Sequence, residues 1–484
     1  MSTFDRTRRT LIKTMGLGAA ALAMPKILPA AKESGDGEKK PNVLFIAVDD
    51  LRPQIHCYGH KQMISPYMDS LASEGVIFSR AYCQVPVCGA SRASLLTGIR
   101  PTRDRFVNWY VWADKDAPGT VSLPMHFKNN EYHTLSNGKV YHHLNDGEGS
   151  WSEQPWRSDA ERDMSDPGSN WMDYLLEENK NIAKENNGRG EPFERPDVPD
   201  NAYRDGILAD KAISDLRRLK YMDKPFFLAL GFFKPHLPFN APAKYWDLYK
   251  REEIDLADNP FRPKGAPDAA LHNWGELRQF ARIPQEGPLS EEMARTLIHG
   301  YYACVSYTDA QIGRVLDELE RLGLKDDTII VLWGDHGWNL GEHGLWCKHC
   351  NFETALCSPL IVSAPGIQGG TKTNALTEFV DIYPSLCDLC SLPIPFQLDG
   401  ASFVPVMKDP DSPGETAAFS RYQDGDSVRT DRYRYTEWRN DNGEVYARML
   451  YDHHTDPAEN VNISELPENR ELIKQLSRMI QKLP

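Results

Sequence analysis

The chain has 484 residues, 55 basic against 69 acidic side chains, a formal charge of −14 and 40% apolar residues. That length supports a large core, expected as one big domain with a smaller one, and the acidic balance excludes nucleic acid as a natural partner. Beyond the N-terminal leader no apolar run reaches membrane-spanning length, and any site for an anion must be a local basic pocket.

The N-terminus reads as an address. Thr7-Arg8-Arg9-Thr10-Leu11-Ile12-Lys13 is a twin-arginine pattern, followed by small apolar residues over 15–24 and by Pro29-Ala30-Ala31. This order predicts a cleavable twin-arginine signal peptide over residues 1–31, the twin-arginine export machinery as partner, and a periplasmic or secreted location. The competing reading is a disordered basic tail. The segment has no Cys, which argues against a lipoprotein anchor.

Residues 41–48 form a continuous apolar run, as expected of a strand buried on both faces of a parallel sheet. Ser65-Pro66 opens a helix with Met68, Leu71 and Ala72 on one face, Gly75 closes it, and residues 76–80 return as a strand. Residues 143–203 are polar and rich in Gly, Pro, Trp and Asn, and read as long loops over a site or an irregular insertion, not as a domain. Ile213, Leu216 and Leu219 mark a helix leading into a buried strand at 226–230. Ile312, Val315, Leu316, Leu319 and Leu322 mark another, leading into a strand at 328–333. This alternation predicts an α/β fold, doubly wound around a large mixed, mainly parallel sheet over residues 41–400. From Ala417 the pattern changes to alternating, half-buried strands with a hairpin signal at Asn442-Gly443 and a last amphipathic helix. Residues 401–484 are therefore expected as a smaller α+β C-terminal subdomain with an antiparallel sheet.

In such sheets ligands collect beyond the carboxyl ends of the strands. Asp49-Asp50 and Asp335-His336 each follow a predicted buried strand. Paired carboxylates there repel one another unless a cation lies between them, and oxygen-rich ligation favours calcium over zinc. A helix cap or a solvated turn would also accommodate Asp49-Asp50. Of nine cysteines, Cys347-x-x-Cys350 and Cys387-x-x-Cys390 imitate a four-thiolate zinc site, although buried small cysteines suit the second pair equally well. Cys88 begins a predicted helix, where the dipole is expected to lower its thiol pKa; the alternative is a core cysteine.

Cys88-Gly89-Ala90-Ser91-Arg92, running on into Leu95-Leu96-Thr97-Gly98, closely resembles the maturation signature of the formylglycine-dependent sulfatases of the alkaline phosphatase superfamily. Residues 41–53, 138–142, 233–238, 334–344 and 427–436 extend the resemblance, and the iduronate-2-sulfatases are the most similar members. The resemblance implies that Cys88 is oxidised to formylglycine (3-oxoalanine). It implies one calcium ion held by Asp49, Asp50, Asp335, His336 and the modified residue 88, with Arg92, Lys139, His142, His236 and Lys348 around the sulfate. Ala90 stands where many members carry Pro. That form resembles signatures served by the oxygen-independent maturase, which is the expected partner.

The implied chemistry is consistent with the residue types. An aldehyde hydrate offers one hydroxyl to attack sulfur and a second to expel sulfate, which a plain serine or cysteine lacks. Asp335 could accept the attacking proton, His236 or Lys348 could protonate the departing alcohol, and His142 could take the proton of the second hydroxyl. Lys139 adds charge beside the developing oxyanion. Taken without the resemblance, Lys139 is a surface lysine and His142 a loop histidine. The expected substrate is a sulfated poly- or oligosaccharide carrying a 2-O-sulfated uronic acid, with Arg429, Arg432 and Arg434 as partners for its carboxylate. Those arginines could equally solvate an edge strand. Ulvan, sulfated galactans or fucans are the alternative glycans. A phosphodiesterase or phosphonate hydrolase is the alternative chemistry on the same fold.

Overall fold

The first strand of the computed structural model, β1 (Asn42–Val48), is buried along its whole length. Leu44, Ile46 and Val48 join the core on one face of the sheet, and Val43, Phe45 and Ala47 join the core on the other. This alternation with period two explains why the strand has no polar side. The structure describes residues 40–158 and 170–482. The expected signal peptide over 1–31 lies outside the described residues.

Six more strands complete the main sheet: β2 (Val76–Tyr82), β3 (His133–Gly138), β4 (Phe226–Phe232), β5 (Thr328–Gly334), β6 (Leu360–Ser363) and β7 (Thr371–Glu378). Their order is β7-β2-β6-β5-β1-β4-β3. β6 runs antiparallel to both of its neighbours, and the other pairings are parallel. The expected mixed, mainly parallel sheet is therefore present. One face is covered by α1 (Pro66–Glu74), α3 (Arg204–Leu219) and α4 (Glu291–Arg321). The other is covered by α2 (Cys88–Thr97) and α5 (Ile382–Leu389).

Two elements differ from the sequence reading. α4 is 31 residues long and is capped by Ser290, whose side chain accepts from the Met293 N–H at 3.2 Å. The periodicity marked only its second half, because every residue from Thr296 to Asp309 is buried and leaves no polar stripe to read. The segment 143–203 is irregular over most of its described residues but carries a helix, Glu177–Glu185.

The C-terminal strands β8 (Ala417–Tyr422), β9 (Gly425–Thr430), β10 (Tyr433–Arg439) and β11 (Val445–Asp452) form an antiparallel sheet in sequential order. Gly443, at φ 79°, turns β10 into β11, as the Asn-Gly signal predicts. α6 (Arg470–Ile480) places Ile473, Leu476 and Ile480 on Val428, Tyr435 and Leu450. This sheet is hydrogen-bonded to the edge of the first one. Glu378 accepts from the Phe419 N–H at 3.0 Å, and the Gln84 carbonyl accepts from the Arg421 N–H at 2.7 Å.

All nine cysteines are free. Cys347 and Cys350 lie in the core of one sheet face and Cys387 and Cys390 in that of the other. The sheet separates the two pairs, so they cannot share an ion. No helix among the described residues is long and apolar enough to cross a membrane.

Candidate active site

The register of the sheet brings the carboxyl ends of β1, β4 and β5 level, with Val48 opposite both Phe232 and Gly334. Asp49-Asp50 and Asp335-His336 therefore emerge side by side. Asp50 takes φ 58°, a left-handed conformation uncommon for a residue with a side chain. Its N–H is held by Asp335 Oδ1 at 3.0 Å. Lys139 leaves the end of β3 where the chains run very close. A Cβ on Gly231 would lie 2.0 Å from the Lys139 backbone, so only glycine permits this approach.

Cys88 and Arg92 are four residues apart at the start of α2 and thus share a face. Arg92 is fully buried. Its Nε donates to Asp335 Oδ2 at 2.9 Å and an Nη to Asp49 Oδ1 at 3.3 Å. The other Nη donates to the carbonyls of Lys139 and Val140. Lys139 Nζ bonds Asp49 Oδ2 at 2.5 Å. Burial opposes the charge on Asp49, but Lys139, His236 and Arg92 together hold its carboxyl well below the usual range. Asp50 is different: burial and the Asp49 charge push it up despite Lys348.

The ligand atoms of Asp49, Asp50, Cys88 and His336 all lie within 4.8 Å of one another. His336 Nδ1 faces the Gly337 carbonyl at 3.0 Å, so that nitrogen carries the hydrogen. Nε2 is left as the lone-pair donor, 3.4 Å from both Cys88 Sγ and Asp50 Oδ1. Asp335 stands beside this quartet, with Oδ1 3.6 Å from His336 Nε2. A buried set of two carboxylates, an imidazole nitrogen and a thiol, with a third carboxylate beside it, fits a divalent cation that neutralises the crowded charges.

Lys348 follows the short strand Trp346–Cys347, between two left-handed residues, Cys347 at φ 68° and His349 at φ 66°. Its ammonium lies 3.1 Å from Asp50 Oδ1 and 2.9 Å from Glu276 Oε2. A fixed organic cation thus lies between these two carboxylates. His236 lies on the loop after β4. Asp205 of α3 accepts the N–H groups of Phe233 and Lys234 at 2.9 and 2.8 Å, and Lys234 Nζ braces the His236 and Pro238 carbonyls. His236 Nε2 is 3.1 Å from Glu276 and 3.8 Å from Asp50. Burial opposes its charge, but Asp50 and Asp49 push it up to about 10. His142 is the opposite case: burial and the neighbouring Lys139 hold it well below its ordinary value. Its buried Nδ1 meets no partner among the described residues.

Cys88 departs from the expectation for a helix start. Burial pushes its thiol up and Asp49 adds to this, outweighing Lys139 and Lys348. The three C-terminal arginines do not reach the cleft. Arg434 is buried between Glu353 and Glu459, Arg432 pairs with Asp452 at 2.6 Å, and Arg429 lies 3.6 Å from Glu353. β9 and β10 are also inner strands rather than edges, so edge solvation does not apply to Arg429 or Arg434.

Cys88, Lys139, His142, His236 and Lys348 open onto one cleft of about 690 Å³. Its walls also include Trp109, Trp112, Arg157, Arg189, Arg204 and Glu276, none of which sequence reasoning singled out. Glu276 carries no local signal, because its partners lie far away along the chain.

A family model described as sulfatase matches residues 41–392, and one described as N-sulphoglucosamine sulphohydrolase, C-terminal, matches residues 341–484. The chain is 31% identical to iduronate 2-sulfatase of Mus musculus, over 94% of this chain and 96% of that protein. Its fold is similar to that of a protein solved in complex with its substrate D-glucosamine-2-N,6-O-disulfate, at TM-score 0.71 and 23% identity, covering 92% of this chain and 97% of that one. It is equally similar to the phosphonate monoester hydrolase of Silicibacter pomeroyi, at TM-score 0.72 and 22% identity, covering 91% and 94%. These two likenesses concern the fold alone; the family model and the mouse relative carry the assignment. The chain belongs to the sulfatase family and has its alkaline phosphatase-like fold.

Proposed function

We propose that this sulfatase removes the 2-O-sulfate of a uronic acid in a sulfated glycan, using a formylglycine made from Cys88 and one calcium ion. The observation that carries the chemistry is the buried meeting of Cys88 with two strand-end carboxylates, His336 and the cations of Arg92, Lys139 and Lys348. Asp49, Asp50, His336 and residue 88 would hold the ion, with Asp335 beside them. When bound, the ion supplies positive charge against the sulfate oxygens and acidifies the hydroxyl of residue 88. Oxidised to the formylglycine hydrate, residue 88 offers one hydroxyl to attack sulfur and a second whose deprotonation expels sulfate.

The geometry supports the remaining roles. Arg92 fixes Asp49 and Asp335 in place through its planar fork. Lys139 presents a charge at the end of β3 for the sulfate oxygens. His236 and Lys348 stand together as donors for the leaving alcohol, and neutral His142 is suited to take the proton of the second hydroxyl.

The uronate reading rests on the similarity to the mouse iduronate 2-sulfatase along nearly the whole chain. The cleft supports it with Arg189, whose guanidinium stacks on Trp171 at 5.0 Å and has no ion pair among the described residues. It can take the role that Arg429, Arg432 and Arg434 cannot. The test is sulfate release from a panel of 2-sulfated uronates, 6-sulfated hexosamines and neutral sulfated sugars. Preference for the uronates supports the reading, and preference for either other class overturns the substrate while leaving the sulfatase. Twin-arginine export and an oxygen-independent maturase belong to the same proposal, on the residues quoted from 7–31 and on Ala90.

A further inference from the structure

Glu276 is out of place by charge. A cleft that receives a sulfate monoester is lined by cations, and a carboxylate among them repels the substrate. Yet Glu276 sits on a well-tied turn. Trp274, two residues earlier, is left-handed at φ 47°, and the Arg278 guanidinium lies 3.4 Å over its ring. Arg278 also donates to the carbonyls of Asn273 and Gly287 at 2.8 Å each, and His272 accepts the Trp274 N–H at 2.9 Å. These contacts order the turn that carries Glu276.

That position is between two donors. Glu276 Oε1 lies 3.1 Å from His236 Nε2, while Lys348 Nζ lies 3.0 Å from Oε1 and 2.9 Å from Oε2. The other ring nitrogen of His236 meets the Leu237 carbonyl at 2.7 Å, so the ring is pinned at both ends. Asp50 accepts from the same ammonium at 3.1 Å, so two carboxylates fix Lys348 beside the ring of His236.

We propose that Glu276 is a positioning residue that sets His236 and Lys348 as a donor pair for the leaving oxygen; this rests on the sulfatase reading above. As the sulfuryl group passes to residue 88, the ester S–O bond breaks and its electron pair stays on the sugar oxygen. That oxygen takes a proton from the His236–Lys348 pair. Glu276 weakens ground-state sulfate binding and improves the step in which the sugar leaves.

Glu276→Gln keeps the shape and removes the charge. Two esters separate the roles: 4-nitrophenyl sulfate, whose phenolate leaves without a proton, and whichever sugar sulfate of the panel the wild type turns over fastest. The expected loss in kcat is at least tenfold greater on the sugar sulfate than on the aryl ester. Inorganic sulfate is expected to inhibit the variant more tightly. In a Glu276→Gln/His236→Gln double variant the losses do not add, because one residue acts through the other. Equal losses on both esters with weaker sulfate inhibition would mark a merely structural role and overturn the proposal, as would additive losses or unaltered kinetics. If the wild type hydrolyses neither ester, the sulfatase reading fails and takes this inference with it.

Discussion

Arg92→Met tests whether the buried cluster is held together by its arginine. The substitution keeps an unbranched apolar stem of similar reach and deletes the guanidinium. Asp335 Oδ2 and Asp49 Oδ1 lose cationic partners at 2.9 and 3.3 Å, and the carbonyls of Lys139 and Val140 lose their donor. Removing one side of a buried ion pair costs about 3–5 kcal/mol, because the remaining charge is stranded. For a 484-residue chain the unfolding entropy is about 1 kcal/mol per degree, so the expected fall in Tm is about 3–5 °C. Differential scanning fluorimetry in metal-free buffer and in calcium is the assay. Added calcium should recover part of the loss, since a divalent ion also neutralises Asp49. Arg92→Lys should fall between the two, because an ammonium replaces the charge and not the fork. A melting point for Arg92→Met within about one degree of wild type in metal-free buffer would refute the reasoning.

Four other outcomes are expected. Chelation should lower both Tm and turnover, with calcium restoring them, because an ion that binds only the folded state stabilises it; stoichiometric metal analysis of active protein checks this. Arg434→Met should cost about 3–5 kcal/mol of stability by stranding Glu353 and Glu459, yet leave KM for sulfated sugars unaltered. Arg189→Ala should raise KM for sulfated uronates and not for neutral sulfated sugars, as measured by sulfate release. His272 accepts the Trp274 N–H, and burial holds it down to about 4. A lowered folded pKa means that its contribution to stability is complete above about 6.5 and is lost as the pH falls towards 4. Urea unfolding across that window should steepen in the wild type and flatten in His272→Gln.

The part of the site legible in the sequence was the part fixed by local order. Asp49-Asp50 and Asp335-His336 could be placed because each directly follows a strand with no polar side, and strand ends converge in a parallel sheet. Cys88 and Arg92 were legible through the resemblance of 88–98 to the maturation signature, and the helix then sets them four residues apart on one face. Residues whose meaning depends on distant partners were not legible. Arg429, Arg432 and Arg434 look like a free cationic stripe until Glu353, Glu459 and Asp452 fold onto them. Glu276 has no meaning until β4 delivers His236 and the segment after Trp346–Cys347 delivers Lys348. The first half of α4 was missed for a different reason: a helix segment buried all round shows no periodic stripe. The thiol of Cys88 followed its burial and Asp49 rather than the helix dipole.

The central claim is that residue 88 acts as an aldehyde made from cysteine. Its most direct test is the intact mass of the peptide containing residue 88, taken from protein coexpressed with an oxygen-independent maturase and compared with the turnover of the same preparation. The account predicts a peptide carrying the aldehyde mass, reactive with hydrazides, in a fraction that rises in proportion to sulfate release. A fully active preparation in which residue 88 is entirely unmodified cysteine would contradict it.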